Sequence, residues 1–223
     1  MNKNFLIALF IFIVIYILVY SFGNFYIDYR WFSINNQSNV FWILFFTKFN
    51  IQMIFWGLFI GIFLLNFVLL RILGGKGRIF TKNILDKIKI PGFGTTRKLL
   101  FVFLFVGIII IGFFMGLWAS AYWKEYLMYS NGVSFNQYPP DPIFNKDIGF
   151  YVFTLPFYKF IFKWSLVSLL IITVFSFFFH ILNNGIFLQN NSLEFSRFAR
   201  AHLSILIGLI VLMIAIWYRL LSY

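Results

Sequence analysis

Residues 160–182 read FIFKWSLVSLLIITVFSFFFHIL, and this run decides the fold class of the chain. It contains one charged side chain, Lys163, close to its start. As an α-helix it is roughly 35 Å long at about 1.5 Å per residue, which matches a bilayer hydrocarbon core of about 30 Å. Backbone amides find no partners in lipid, so a run of this kind crosses the membrane as a helix.

Four further apolar runs have a similar length, and the composition of the whole chain agrees with them. They cover residues 5–22, 51–70, 99–118 and 203–221. The 223 residues are 62% hydrophobic and 11% charged, with a mean hydropathy of +0.90. Soluble domains are nearer half apolar and a quarter charged, and a soluble fold of this size could not bury so much apolar surface. The sequence therefore predicts an all-α, polytopic membrane protein with about five spans in a single transmembrane domain, residues 1–223.

The first run has an alternative interpretation as a signal peptide. Lys3 supplies a short basic start, and Ser21-Phe22-Gly23 is a weak small-x-small cleavage pattern. However, the apolar core of residues 5–22 exceeds the usual signal core of about 7–15 residues, and bulky Tyr20 lies near the exit. We favour an uncleaved first span.

Basic residues predict the orientation of the spans. The loop 71–98 carries eight lysines and arginines against one acid, Asp86. Cytoplasmic loops are enriched in Lys and Arg, so this loop is predicted to lie inside. Alternation then places the N-terminus and the loop 183–202 inside as well. The loops 23–50 and 119–159 and the C-terminal end are predicted to lie outside.

Two segments have the character of membrane-surface elements. Residues 40–49, VFWILFFTKF, are apolar but too short to cross, and their aromatic side chains suit the headgroup zone. In the basic loop, Phe80, Ile84 and Ile88 recur every four residues with lysines between them. That spacing is typical of a basic amphipathic helix on anionic lipid, and an ordinary solvated loop remains an equal alternative.

Residues that could carry chemistry are scarce. The chain has no cysteine, which excludes disulfides and thiolate metal sites. The net charge of +12 lies at the ends of apolar runs and forms no basic stripe, so nucleic-acid binding is not predicted. The segment GGKGR, residues 74–78, lacks the spacing of a phosphate-binding loop. His180 and His202 are interpreted as lone interfacial histidines, because a metal site needs three or four ligands. We predict no catalytic, cofactor or metal residues, and no enzymatic activity.

Small residues within the spans predict helix contacts. Gly57 and Gly61 are four residues apart in span two, as are Gly112 and Gly116 in span three. This spacing lets helix backbones approach closely. A similar narrow stripe of small residues in span five consists of Ser204, Gly208 and Ala215.

Four hydroxyl side chains follow one side of span four, and two interpretations of them stay open. They are Ser165, Ser168, Thr173 and Ser176. The favoured interpretation is packing against neighbouring helices. The alternative is the lining of a path for a polar or lipidic substrate. No span interior contains an Asp, Glu, Lys or Arg, which argues against proton-coupled transport by these spans.

The stretch YPPDPIFNKDIGFYVFTLPFY, residues 138–158, interrupts the apolar pattern just before span four. Pro139, Pro140 and Pro142 enforce extended or turning backbone. Asp141 before Pro142 can begin a turn. The aromatic residues that follow suit the outer membrane surface. The stretch is predicted to be a rigid loop that leads the chain back into the membrane.

The sequence of this stretch also resembles that of a known family. DPIFNKDIGFYVFTLPFY, residues 141–158, resembles the pattern D-P-I-F-x-K-D-x-x-F-Y-V-F-x-L-P-F-Y of uncharacterised protein family 0182, which comprises large multi-spanning bacterial membrane proteins. Residues 25–42 and 199–223 resemble the family's first outer loop and its A-x-x-H-L-S-x-L-x-G span. The resemblance implies several N-terminal spans followed by a large extracytoplasmic region, and it implies no activity for particular residues.

These observations lead to one expectation about function and two alternatives. We expect an integral protein of the bacterial cytoplasmic membrane that forms the anchoring N-terminal part of a larger cell-envelope protein, or else a truncated gene product. Its partners would be the lipid bilayer, a C-terminal extracytoplasmic domain or other envelope proteins. The first alternative is part of a transporter for lipid or another envelope component. A membrane-embedded enzyme comes third.

Overall fold

The computed structural model describes residues 3–73, 96–135, 137–182, 185–189 and 192–223. They form six α-helices, a short π-helical turn and two short strands. In chain order these are α1 (Lys3–Ile34), α2 (Ser38–Leu73), α3 (Thr96–Ser120), α4 (Trp123–Ser130), the π-turn (Phe150–Thr154), α5 (Leu155–Leu182), β1 (Ile186–Gln189), β2 (Ser192–Phe195) and α6 (Arg197–Leu221).

Five of these helices, α1, α2, α3, α5 and α6, are long and apolar enough to cross a membrane. Each of the five predicted spans lies within one of them. The predicted all-α fold is therefore confirmed. The single departure within the described residues is a two-stranded antiparallel sheet, in which Ile186 pairs with Phe195 and Gln189 with Ser192.

The chain divides into two compact units, residues 1–49 and 50–223. In the first unit, aromatic contacts hold α1 against the start of α2. The ring of Phe25 meets the rings of Phe41 and Phe45 edge to face, at centroid distances of 5.2 and 5.4 Å. Such pairs contribute about 0.5–1.5 kcal/mol beyond the area that they bury. These ring contacts explain why Phe41 of α2 is buried, although most side chains of the adjoining helix α1 are exposed.

The prediction that residues 23–50 form a loop is wrong. Helix α1 continues to Ile34, and α2 begins at Ser38, so residues 40–49 are the first turns of a long helix and form no separate surface segment. The physical reason is that no proline interrupts either run. The chain turns only at Asn36, whose φ of 56° is left-handed. The amide of Gln37 donates to the Phe32 carbonyl at 2.8 Å, which closes the helix end.

In the second unit, large side chains from α2, α3 and α5 form the main core. Phe59, Ile108, Phe160 and Ile172 are buried there. Two indole N–H groups tie the helices together: Trp56 Nε1 donates to the Ile109 carbonyl and Trp164 Nε1 to the Met115 carbonyl, each at 3.2 Å. Trp164 satisfies its polar atom inside the apolar core, as buried tryptophans must, whereas the Trp56 bond is exposed.

The two predicted glycine pairs differ in their surroundings. A Cβ at Gly116 would lie 2.5 Å from the Gln52 carbonyl oxygen, and a Cβ at Gly112 would lie 3.0 Å from the Phe59 and Trp56 rings. The backbones of α2 and α3 thus approach closely at the span-three pair. A Cβ at Gly57 or at Gly61 would meet nothing within 4 Å. The prediction of a close helix contact is confirmed for the pair in span three and wrong for the pair in span two.

Two carboxylates organise the loop between α4 and the π-turn. Asp141 Oδ1 accepts the amides of Ile143 and Phe144, each at 2.8 Å. These N–H groups, Phe144 first, lower the pKa of Asp141 below its usual value, since they stabilise the charged form. Both oxygens of Asp147 lie 3.1 Å from the amide of Phe135, and Oδ2 accepts the amide of Gly149 at 2.9 Å. The two acids therefore accept hydrogen bonds from four backbone amides of the loop.

The loop enters α5 through the π-turn, and Pro156 accounts for this geometry. Proline has no N–H, so the bond that would join it to the carbonyl four residues earlier is missing. The wider π-turn, Phe150–Thr154, comes directly before this gap. Span four therefore begins at Leu155, five residues before its predicted start, and the aromatic segment 150–158 is helical.

The predicted simple loop 183–202 is also wrong in part. Residues 186–195 contain the strand pair, and α6 begins at Arg197. Ser196 caps this helix, because its Oγ accepts the amide of Ala199 at 3.1 Å. The predicted amphipathic segment 80–88 and the glycine-containing turns at 74–78 and 91–94 lie outside the described residues.

Candidate functional site

Four polar side chains meet inside the second unit where α2, α5 and α6 come together. Asn66 belongs to α2, Ser176 and His180 to α5, and His202 to α6. All four are buried, with exposed fractions of 8% or less. We refer to these four residues as the polar cluster. Buried polar groups are costly unless they are hydrogen-bonded, so these four side chains need partners within the protein.

A continuous series of hydrogen bonds connects the polar cluster. Asn66 Nδ2 donates to Ser176 Oγ at 2.8 Å, and Ser176 Oγ donates to the Ile172 carbonyl at 2.8 Å. Asn66 Oδ1 is 3.1 Å from His202 Nε2, and His202 Nδ1 is 3.2 Å from His180 Nε2. Side-chain hydrogen bonds therefore connect three helices, α2, α5 and α6.

The direction of these bonds assigns the histidine protons. With Nδ2 of Asn66 donating to Ser176, Oδ1 is left to accept, so His202 carries its proton on Nε2. His202 Nδ1 is then an acceptor, and His180 donates from Nε2. Every bond in the series is satisfied with both imidazoles neutral. The arrangement needs no buried charge, which a membrane interior disfavours.

Local structure explains how the histidines come together. Ser176 and His180 are four residues apart on α5 and therefore share a face of that helix. The strand pair returns the chain, and the Gly185 amide donates to the His180 carbonyl at 2.7 Å. His202 then lies early in α6, stacked on Phe198 at a ring-centroid distance of 6.0 Å.

The polar cluster forms hydrogen bonds that hold α2, α5 and α6 together. Its two imidazoles bond to each other, and within the described residues no carboxylate is bonded to either ring. No group of three or more His, Cys, Asp or Glu side chains that could hold a metal ion occurs in the described part of the chain. Interhelical hydrogen bonds in membranes contribute about 0.6 kcal/mol each on average, so the cluster adds geometric definition more than stability.

The interpretation of both histidines as lone residues is wrong, whereas their position near the membrane interface stays a prediction. The structure buries His180 and His202 and pairs them with each other. The sequence did place both at the same end of neighbouring antiparallel spans, which is the signal for their proximity. Asn66 was missed entirely. It is an amide in the middle of the apolar run FLLNFVLL, residues 63–70, and such a residue is costly in lipid unless it has a partner.

The hydroxyl stripe of α5 divides into two pairs. Ser168 and Ser176 are buried, whereas Ser165 and Thr173 are half-buried. Thr173 donates to the carbonyl of Leu169 in its own helix at 2.7 Å. Ser168 Oγ has no hydrogen-bond partner in the described part of the chain. An interhelical hydrogen bond accounts for Ser176 and an intrahelical one for Thr173, whereas Ser168 is left unexplained.

Comparison with known proteins gives a consistent result. The model of the uncharacterised protein family UPF0182 matches residues 5–223. A UPF0182 protein of Clostridium botulinum (strain Okra) is 32% identical over 225 aligned residues, which cover 96% of this chain and 24% of that protein. A UPF0182 protein of Nocardioides sp. is 30% identical over 86% of this chain and 19% of its own length.

Shorter matches are somewhat more similar. A UPF0182 protein of Salinispora tropica is 37% identical over 112 residues, half of this chain and 11% of that protein. The chain thus spans between about a tenth and a quarter of the curated relatives that it matches. No solved structure matches the chain.

Proposed function

The chain belongs to the uncharacterised protein family UPF0182, and we propose that its five membrane-spanning helices anchor and orient a longer protein of the bacterial cell envelope. The observation that carries this proposal is how the polar residues inside the helices are used. Asn66, His180 and His202 are bonded to one another. These bonds join α2, α5 and α6, so the polar atoms that take part in them serve contacts between helices. We propose that the chain carries no catalytic centre of its own.

The length of the relatives supports this role. Because the chain covers only 24% of the Clostridium botulinum protein, most of that relative lies in other segments. A membrane domain that holds such segments at one face of the bilayer needs rigid helices and a fixed orientation. The contacts between α2, α3 and α5 and the polar cluster supply the rigidity. The basic loop 71–98 supplies the orientation, with residues 119–159 facing outward and the membrane being the bacterial cytoplasmic one.

Orientation is tested by cysteine labelling, because the chain has no cysteine of its own. Ser134 and Leu193 are exposed and lie in the predicted outer and inner loops, respectively. In intact cells, Ser134→Cys should react with a membrane-impermeant maleimide, whereas Leu193→Cys should react only after permeabilisation. Labelling of Leu193→Cys in intact cells would show that the proposed orientation is wrong.

A conduit for lipid or another envelope component is the second candidate, and Ser168 is the observation in its favour. The side chain of Ser168 is 2% exposed, and its hydroxyl has no hydrogen-bond partner in the described part of the chain. A buried hydroxyl without a partner destabilises the fold. In a conduit, such a hydroxyl would bond to a passing substrate.

The two functions predict different results for alanine variants of the gene that encodes the chain. For an anchor, Asn66→Ala should lower the detergent melting temperature slightly, since each lost interhelical bond is worth about 0.6 kcal/mol. Ser168→Ala should leave it unchanged or raise it, because an unpartnered polar group is removed. Both variants should still complement a deletion strain.

Ser120→Ala is the matched control, because its hydroxyl donates to the Leu117 carbonyl within α3 and belongs neither to the hydroxyl stripe of α5 nor to the polar cluster. Membrane abundance of each variant is measured by immunoblot alongside complementation. If Ser168→Ala or Asn66→Ala abolishes complementation at normal abundance while Ser120→Ala does not, the anchor proposal fails in favour of the conduit.

A further inference from the structure

A groove of about 510 Å³ lies between α5, β2 and α6, on a different face from the polar cluster. This volume falls within the range of about 300–1,000 Å³ that is typical of small-molecule sites. Its lining consists of five apolar side chains, two hydroxyl residues and one arginine: Val174, Phe177, Phe195, Leu203, Ile207, Thr173, Ser204 and Arg200. We propose that it binds one anionic phospholipid of the bilayer, with the phosphate on Arg200 and an acyl chain along the apolar walls.

The order of side chains along α6 fits an amphiphile. Arg200 lies in the first turn of the helix, Ser204 one turn later, and Ile207 about 10 Å beyond Arg200 at roughly 1.5 Å per residue. With Arg200 at the membrane surface, where lipid phosphates are, Ile207 would lie at the depth of the acyl chains. A phospholipid has the same order, with a polar headgroup at the surface and apolar acyl chains below it.

The charge at the mouth of the groove favours an anion. Arg197 and Arg200 both lie in the first turn of α6, which contains no acid. The N-terminal end of a helix carries partial positive charge, so the two arginines there are destabilising unless an anion is bound. Glu194 is nearby in sequence, but it precedes the groove-lining Phe195 and therefore points to the opposite side of β2.

Arginine is well suited to the phosphate of a lipid. Its planar guanidinium can donate two parallel N–H bonds to phosphate oxygens. Basic pockets between membrane helices at the cytoplasmic side are a recognised form of anionic headgroup site. The apolar walls are open to the outside of the helices, because Val174 and Ile207 are each 55% exposed. A lipid of the surrounding leaflet can enter the groove directly from the side.

The test compares two lipids with identical acyl chains on the purified full chain in detergent micelles. Dioleoyl phosphatidylglycerol should raise the melting temperature more than dioleoyl phosphatidylcholine does. In Arg200→Gln, the half-saturating concentration of phosphatidylglycerol should rise about tenfold, as expected for loss of a charged hydrogen bond. Arg197→Gln removes the same charge from the same turn but lies outside the groove lining, and should change it about twofold or less. Lipid selectivity in micelles does not depend on the orientation proposed above.

A second pair of variants tests the apolar part of the groove. Ile207→Trp should fill the groove and abolish stabilisation by phosphatidylglycerol, whereas Ile205→Trp, on another face of α6, should not. The proposal fails if the two lipids stabilise the wild-type chain equally, or if Arg197→Gln and Arg200→Gln weaken binding to the same extent. It also fails if the wild-type chain is a dimer in micelles and Arg200→Gln dissociates it while the preference for phosphatidylglycerol persists. The groove would then be an interface between copies of the chain.

Discussion

Replacing Gly116 by leucine should lower the melting temperature of the detergent-solubilised chain far more than the same replacement at Gly61. A Cβ at Gly116 would lie 2.5 Å from the Gln52 carbonyl oxygen and 3.3 Å from the Trp56 amide nitrogen, so it would collide with the backbone of α2. A side-chain neighbour could rotate away, but a helix backbone can only be displaced as a whole. Overpacking of a well-packed core costs about 1–3 kcal/mol, and a backbone clash falls at or above the upper end of that range.

The consequences of the Gly116 change should extend to two tryptophans. Separation of α2 from α3 would break the bond from Trp56 Nε1 to the Ile109 carbonyl and loosen the packing of Met115, whose carbonyl accepts Trp164 Nε1. Thermal unfolding followed by tryptophan fluorescence measures both stability and environment. We expect a red shift of the emission for Gly116→Leu, because looser packing places the indoles, above all the buried Trp164, in a more polar environment.

Gly61→Leu and Gly107→Leu are matched controls, since a Cβ at either position would meet nothing within 4 Å. Both add the same side chain to an apolar helix. They should change the free energy of unfolding by no more than a typical exposed substitution does, about 0.5 kcal/mol, and so leave the melting temperature nearly unchanged. Equal losses in Gly116→Leu and Gly61→Leu would contradict the close approach of α2 and α3.

The second large effect is expected for Gly149→Ala in the loop before the π-turn. A Cβ at this position would overlap the carbonyl oxygen of Val133 and lie 2.6 Å from Asp147 Oδ2. The φ of Gly149 is −58°, so the conflict comes from its neighbours and not from its own backbone conformation. Relief requires the segment around Val133 to move, which breaks the bonds from the amides of Phe135 and Gly149 to Asp147.

Limited proteolysis measures this opening. A destabilisation of about 1.4 kcal/mol or more increases the open population of the loop at least tenfold, so cleavage between residues 131 and 149 should accelerate by that factor. The helices should remain protected, because their core does not include Gly149. Gly23→Ala, where a Cβ would meet nothing within 4 Å, is the control. An unchanged cleavage rate in Gly149→Ala would contradict the tight seat of Gly149 against Val133.

The acids of the loop illustrate how much of this region the sequence predicted. Three prolines and two acids predicted a rigid turning segment, and the structure has Asp141 and Asp147 satisfying the amides of that segment. The partner of Asp147 twelve residues earlier, Phe135, could not be inferred, because local turn rules relate only residues a few positions apart.

The sequence by itself determined the number and placement of the membrane helices. An apolar run of about 20 residues has one low-energy state in lipid, a helix that satisfies its own backbone, so residues 51–70 and 160–182 needed no knowledge of their neighbours. Helix ends were less well determined. Residues 23–34 and 38–49 continue their helices because aromatic contacts between the two segments stabilise turns that polar flanks alone would not.

Only the tertiary structure decided which face of each helix is in contact and which polar groups meet. The sequence offers two glycine pairs with the same spacing, yet only Gly112 and Gly116 face a neighbouring helix. Asn66 and His202 are 136 positions apart and acquire their bond only when α2 packs against α6. The physical reason is that lipid drives each span to be helical but exerts no hydrophobic force between spans, so rotation and pairing of the helices depend on shape and hydrogen bonds that exist only in the assembled bundle.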